Sequence, residues 1–163
     1  MATHTISSPQ YAISMSGGTG PTATFVAEEY EKSRQKIQES FALGQLAKGS
    51  FDALHYVYKE CSHTDWDGYG AEPVSSDVFW LAYRFLSALP LGTPAPSIGA
   101  EPDGHITLEW YRSPRRTLSV SVSPDGKLHY AALIGPSRQY GTEPFYGTVP
   151  DTIIEPIARV EAE

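Results

Sequence analysis

The residues best equipped for chemistry gather in one short stretch, His63-Thr64-Asp65-Trp66-Asp67-Gly68-Tyr69-Gly70-Ala71-Glu72. His63, Asp65, Asp67 and Glu72 offer an imidazole nitrogen and carboxylate oxygens, a donor set suited to a hard or borderline cation. The spacing is not that of an EF-hand, because such a loop opened by Asp65 would close on Ser76 where a bidentate Glu is required. The same stretch also reads as a structural cap. In that reading Asp67 accepts backbone N–H groups, Gly68 and Gly70 take turn conformations, and Trp66 and Tyr69 pack on a sheet.

Glu109 is the second carboxylate of interest. Strand alternation turns it away from Ile106, Leu108 and Trp110, toward a face shared with Thr107, Tyr111, Ser119, Ser121 and His129. That face suits recognition of a polar ligand or a protein, and a Glu109–His129 pair within reach could move a proton. Cys61, the sole cysteine, ends an apolar helical stripe and lacks a nucleophile setting. Gly17 to Pro21 lacks the Lys and Ser/Thr of a phosphate-binding loop. Arg112, Arg115 and Arg116 cluster at an expected hairpin tip, as a solvated surface or a contact for phosphate or an acidic protein.

The elements that must position these groups follow from periodicity. Met1 to Thr22 reads as a flexible tail or arm, poor in large apolar residues and rich in Gly, Ser and Thr. Val26, Tyr30, Ile37 and Phe41 predict a helix over Phe25–Ala47, broken by Gly49. Ser50 and Asp52 then cap a second helix running to Cys61, with Phe51, Leu54, Val57 and Tyr58 as its stripe. A third helix runs from Ser76 or Asp77 to Leu89 and stops at Pro90. A short edge strand is expected over Ser97–Gly99. Beyond Gly104 the period becomes two, giving strands over His105–Tyr111, Thr117–Ser123 and Lys127–Ile134. A further strand is expected around Pro144–Tyr146, and a terminal helix over Asp151–Val160 is interrupted by Pro156. Helices followed by antiparallel strands with one apolar face predict an α+β domain over residues 23–160. Its N-terminal helices pack in a second layer on a meander of three to five strands.

The 163 residues suffice for one ordinary core, and a 40% hydrophobic share excludes a charge-dominated disordered chain. A net charge of -7 works against nonspecific binding to nucleic acid or an anionic membrane. The absence of Lys, Arg, Asp and Glu before Glu28, together with the lack of a continuous apolar centre, argues against a signal peptide, and a lone cysteine fits a reducing compartment. A cytoplasmic setting is therefore expected, with no membrane span.

Two segments, Asp65-Trp66-Asp67-Gly68-Tyr69-Gly70-Ala71-Glu72-Pro73-Val74 and Pro102-Asp103-Gly104-His105-Ile106-Thr107-Leu108-Glu109-Trp110, resemble the signatures of a widespread family of small bacterial proteins. In that family a Trp-Asp-Gly-Tyr-Gly-Ala-x-Pro motif precedes a helix ending in Leu-Pro, here Leu89-Pro90, and then a Pro-Asp-Gly-x-Ile-x-Leu-Glu-Trp strand. The resemblance implies a shared fold from about Asp65 to Gly135. It brings no activity, cofactor or catalytic residue with it.

With no coherent catalytic set and a surplus of aromatic residues, the sequence favours a noncatalytic interaction module, such as an inhibitor, an antitoxin-like partner or an accessory subunit. Trp66, Tyr69 and Tyr146 would anchor a protein partner or a second copy, with Glu109, Arg115 and Arg116 setting orientation. No cofactor is expected in that reading. The alternative is a small metal-dependent hydrolase or polar-ligand-binding enzyme using the 63–72 loop with Glu109 and His129.

Overall fold

The computed structural model describes Lys32 and residues 48–162. The tail expected over Met1–Thr22 and, apart from the helical Lys32, the helix expected over Phe25–Ala47 lie outside the described residues. The architecture that follows belongs to the unit Ser40–Glu163.

Residues 48–61 are helical and form α1. Gly49 therefore lies inside a helix and does not break one, contrary to the sequence expectation. A helical glycine costs only about 1 kcal/mol, and Lys48 pairs with Asp52 one turn on at 2.6 Å. Ser76–Ala88 forms α2, where the Ser75 hydroxyl caps the helix by accepting the Val78 N–H at 3.3 Å. Its inward stripe of Val78, Ala82, Phe85 and Leu86 has the three-to-four spacing of an amphipathic helix. The strands are β1 (Ser97–Ala100), β2 (Ile106–Ser113), β3 (Arg116–Val122), β4 (Lys127–Ile134) and β5 (Ser137–Pro144), and Asp151–Glu161 forms α3. The last strand thus lies earlier than Pro144–Tyr146, drawn there by pairing along the whole of β4 from Ile134↔Ser137 to Lys127↔Pro144. Pro156 does not interrupt α3. Ile153, Pro156, Ile157 and Val160 all lie on its buried stripe, and that burial offsets the lost hydrogen bond.

The sheet runs in sequence order, β1-β2-β3-β4-β5, with every neighbouring pair antiparallel. Register sets Trp110 beside Leu118 and Ala132, and Leu108 beside Val120 and Tyr130. Ile106, Val122 and Leu128 form a third row on the same face. These residues share one core with Leu54 and Cys61 of α1, the inward stripe of α2, and Ile153, Ile157 and Val160 of α3. The result is the expected α+β fold, with the helices layered on one face of an antiparallel sheet. No described helix is long and apolar enough to cross a membrane.

Candidate functional site

Three surfaces of this scaffold carry groups able to do chemistry or recognition. The first is the loop between α1 and α2, whose polar groups turn inward on its own backbone. Asp67 Oδ1 accepts the N–H groups of Tyr69 and Ala71, at 2.8 and 3.1 Å. Asp65 adopts φ 61°, a left-handed conformation that Asp tolerates, and its Oδ1 accepts the Gly70 N–H at 2.6 Å. The Trp66 indole donates to the Glu72 carbonyl at 3.0 Å. Both aspartates thus help close the loop, as the structural reading expects of Asp67, whereas Tyr69 is exposed and does not pack on the sheet as that reading has it. Of the four candidate ligands, His63, Asp65 and Glu72 are exposed.

This loop docks on the β1–β2 turn. The Glu72 N–H donates to the Pro102 carbonyl at 2.8 Å, and Gly104, at φ 80°, sits so close to Pro73 that a Cβ would lie 3.1 Å from its carbonyl oxygen. The two segments that carry the family resemblance are thus joined in space.

The second surface is the outer face of the sheet. One row across it holds Thr107, Ser121, His129 and Thr142, and the next holds Glu109, Ser119, Ala131 and Tyr140. Glu109 accepts from the Thr117 hydroxyl at 3.4 Å, while His129 Nδ1 lies 2.9 Å from Thr142 Oγ1. Glu109 and His129 stand two strands apart and in different rows. No hydrogen bond or ion pair joins them, since Glu109 is engaged by Thr117 and His129 by Thr142. At the end of this face the Glu101 carboxylate accepts from both Thr107 and Ser121, and the His105 ring lies parallel to that of His129 with centroids 5.9 Å apart.

The third surface runs along the contact between α1 and α2, where Phe51, Tyr58 and Phe79 pack against the edge of the core. Rings meet there in sequence: Phe51 and Tyr83 at 4.7 Å, Tyr83 and Trp80 at 5.5 Å, Trp80 and Phe79 at 5.2 Å, Phe79 and Tyr58 at 4.7 Å. Trp80 remains 57% exposed. Phe51 and Tyr83 also wall a groove of about 310 Å³, completed by Leu86, Leu89, Pro94 and Pro96. Sequence reasoning singled out neither Trp80 nor Tyr83. Both lie off the inward stripe of α2, and only the packing of α1 against α2 joins them to Phe51 and Tyr58.

The residues expected to form one interaction patch are distributed differently. Tyr69, on the loop docked to the β1–β2 turn, and Tyr146, just past β5, lie toward the same end of the sheet and are largely exposed. Trp66 is half-buried against the core. Arg115 and Arg116 belong to the β2–β3 turn at the opposite end, where Arg116 donates to the Ala162 carbonyl beyond α3. Arg112 faces Glu161 at 4.0 Å. Two of the three arginines thus tie the end of α3 to the sheet. Cys61 is buried, and burial first, then the neighbouring Glu60 charge, pushes its thiol pKa up, which disfavours the thiolate. Comparison of this chain with family models, with curated proteins and with solved structures found no match.

Proposed function

We propose that the protein is a noncatalytic interaction module, of the kind that acts as an inhibitor, an antitoxin-like partner or an accessory subunit. The observation carrying this reading is the run of contacting aromatic rings where α1 meets α2, with Trp80 and Tyr83 exposed and an apolar groove continuous with it. Aromatic side chains bring large contact area at small entropic cost and dominate binding energy where they cluster. The engagement of Glu109 by Thr117 and of His129 by Thr142 instead of by one another, and the use of Asp65 and Asp67 in loop closure, weigh against the enzymatic alternative.

Sedimentation of the full chain, alone and with candidate partners encoded beside it, tests the reading against a Trp80→Ser/Tyr83→Ser variant. These side chains are exposed, so the variant is expected to fold. Association, with itself or with a partner, is expected to weaken by at least about tenfold, the loss of a single hot spot. Association unchanged in the variant, or a strictly monomeric chain that engages no partner and turns over a small molecule, would overturn it.

A further inference from the structure

The chain contains the same turn twice. In Glu101-Pro102-Asp103-Gly104-His105 the Gly104 N–H donates to the Glu101 carbonyl and the Glu101 N–H to the His105 carbonyl, both at 2.9 Å. In Ser123-Pro124-Asp125-Gly126-Lys127 the corresponding bonds are 3.1 and 3.0 Å, and the two glycines share φ values of 80° and 78°. The backbones match, yet the charges they present do not. The second turn neutralises its acid internally, since Asp125 receives both the Lys127 ammonium and the Ser123 hydroxyl. The first turn has a second carboxylate, Glu101, where the other has Ser123, and an imidazole where the other has the ammonium. Among the described residues, the ion-pairing group that reaches Asp103 is His105 Nδ1, at 3.6 Å.

We propose that Glu101, Asp103 and His105 bind one divalent cation of borderline character, such as Zn²⁺. One donor atom from each of the three lies within 4.8 Å of the others. A cation at about 2.0–2.2 Å from each would draw them to roughly 3.3 Å apart, a contraction within reach of side-chain rotation at the exposed Asp103. Two carboxylates and an imidazole form an anionic, mixed nitrogen and oxygen set. The nitrogen favours first-row metals over Mg²⁺ and Ca²⁺.

The surroundings supply orientation of the kind that supports metal ligands. Thr107 and Ser121, from β2 and β3, both donate to Glu101 Oε1 and hold that carboxylate on the sheet. His129 from β4 lays its ring parallel to that of His105 and is itself engaged by Thr142 from β5. The turn is also fixed from beneath by Glu72 and Pro73. Glu101, so held, loses little freedom when a cation arrives.

The test is calorimetric titration of the chelator-stripped, tag-free full chain with ZnCl₂, with Co²⁺ absorption as an inner-sphere readout. One Zn²⁺ per chain is expected, with weaker or no uptake of Mg²⁺. His105→Ala and Glu101→Gln should each weaken binding by at least about tenfold. Asp103→Asn should do the same while retaining the side-chain oxygen that accepts the His105 N–H in the turn. That variant separates loss of a ligand from loss of the fold, checked by circular dichroism. His63→Ala, in the neighbouring loop, should leave affinity unchanged. Absence of saturable Zn²⁺ uptake by the wild type would overturn the proposal. So would loss of uptake in His63→Ala equal to that in His105→Ala.

Discussion

Trp110 illustrates how much one side chain contributes when pattern and packing agree. It is 1% exposed, lies beside Leu118 in the core shared with the helices, and its indole N–H donates to the Pro94 carbonyl at 2.8 Å. Trp110→Ala should cost about 3–5 kcal/mol through lost burial and the cavity left behind, read from chemical denaturation. The stranded Pro94 carbonyl adds to that cost. Asp125 sits at the other extreme, fully exposed, yet the Lys127 ammonium first and the Ser123 hydroxyl second hold its carboxyl down at about 2. Its folded pKa lies below the ordinary 3.8, so its share of stability is present above that value and disappears as pH falls through about 2. Lys127→Ala should move the Asp125 midpoint upward toward the ordinary carboxylate value in an NMR titration. An unmoved midpoint would assign the depression to Ser123 instead.

At the scale of elements, the decisive event is the docking of the α1–α2 loop on the β1–β2 turn. Periodicity located both, and Gly104, at φ 80°, takes the left-handed position of the turn that Gly favours. Their contact was not legible, since it depends on backbone groups, the Glu72 N–H and the Pro102 carbonyl, that no residue type announces. Gly104→Ala should be destabilising by at least about 1–2 kcal/mol, because its backbone is left-handed and the new Cβ presses on the Pro73 carbonyl. The matched substitution Gly126→Ala has a similar φ but meets nothing within 4 Å, so it should cost less. Equal losses in thermal denaturation would mean that the loop contact adds nothing. Helix ends were read less well than strands. Gly49 is helical and exposed at a cost of only about 1 kcal/mol, and the packing of α3 against the sheet outweighs Pro156.

Across the whole molecule, the sheet separates surfaces that look adjacent in sequence. Tyr69 and Tyr146 lie toward one end and Arg115 and Arg116 at the other, because a hairpin returns the chain over the length of each strand, about 24 Å for seven residues. The groups proposed for recognition and for metal binding are likewise on different surfaces. The aromatic rings lie where α1 meets α2, and the donors lie at the end of the open sheet face.

By itself the sequence determined the fold class, the strand faces and the antiparallel connections, because alternating apolar residues and short Gly-containing turns leave few ways to bury one face of a sheet. It also contained the Glu101, Asp103 and His105 donors in plain view at alternate positions. The tertiary structure decided which groups meet. Asp65 and Asp67 were drawn into hydrogen bonds with their own loop backbone, and Glu109 and His129 were engaged by different neighbours, Thr117 and Thr142. The rings of α1 and α2 were joined into one surface. Local pattern fixes the direction in which a side chain points, while the distance between two side chains on different elements is a property of packing alone.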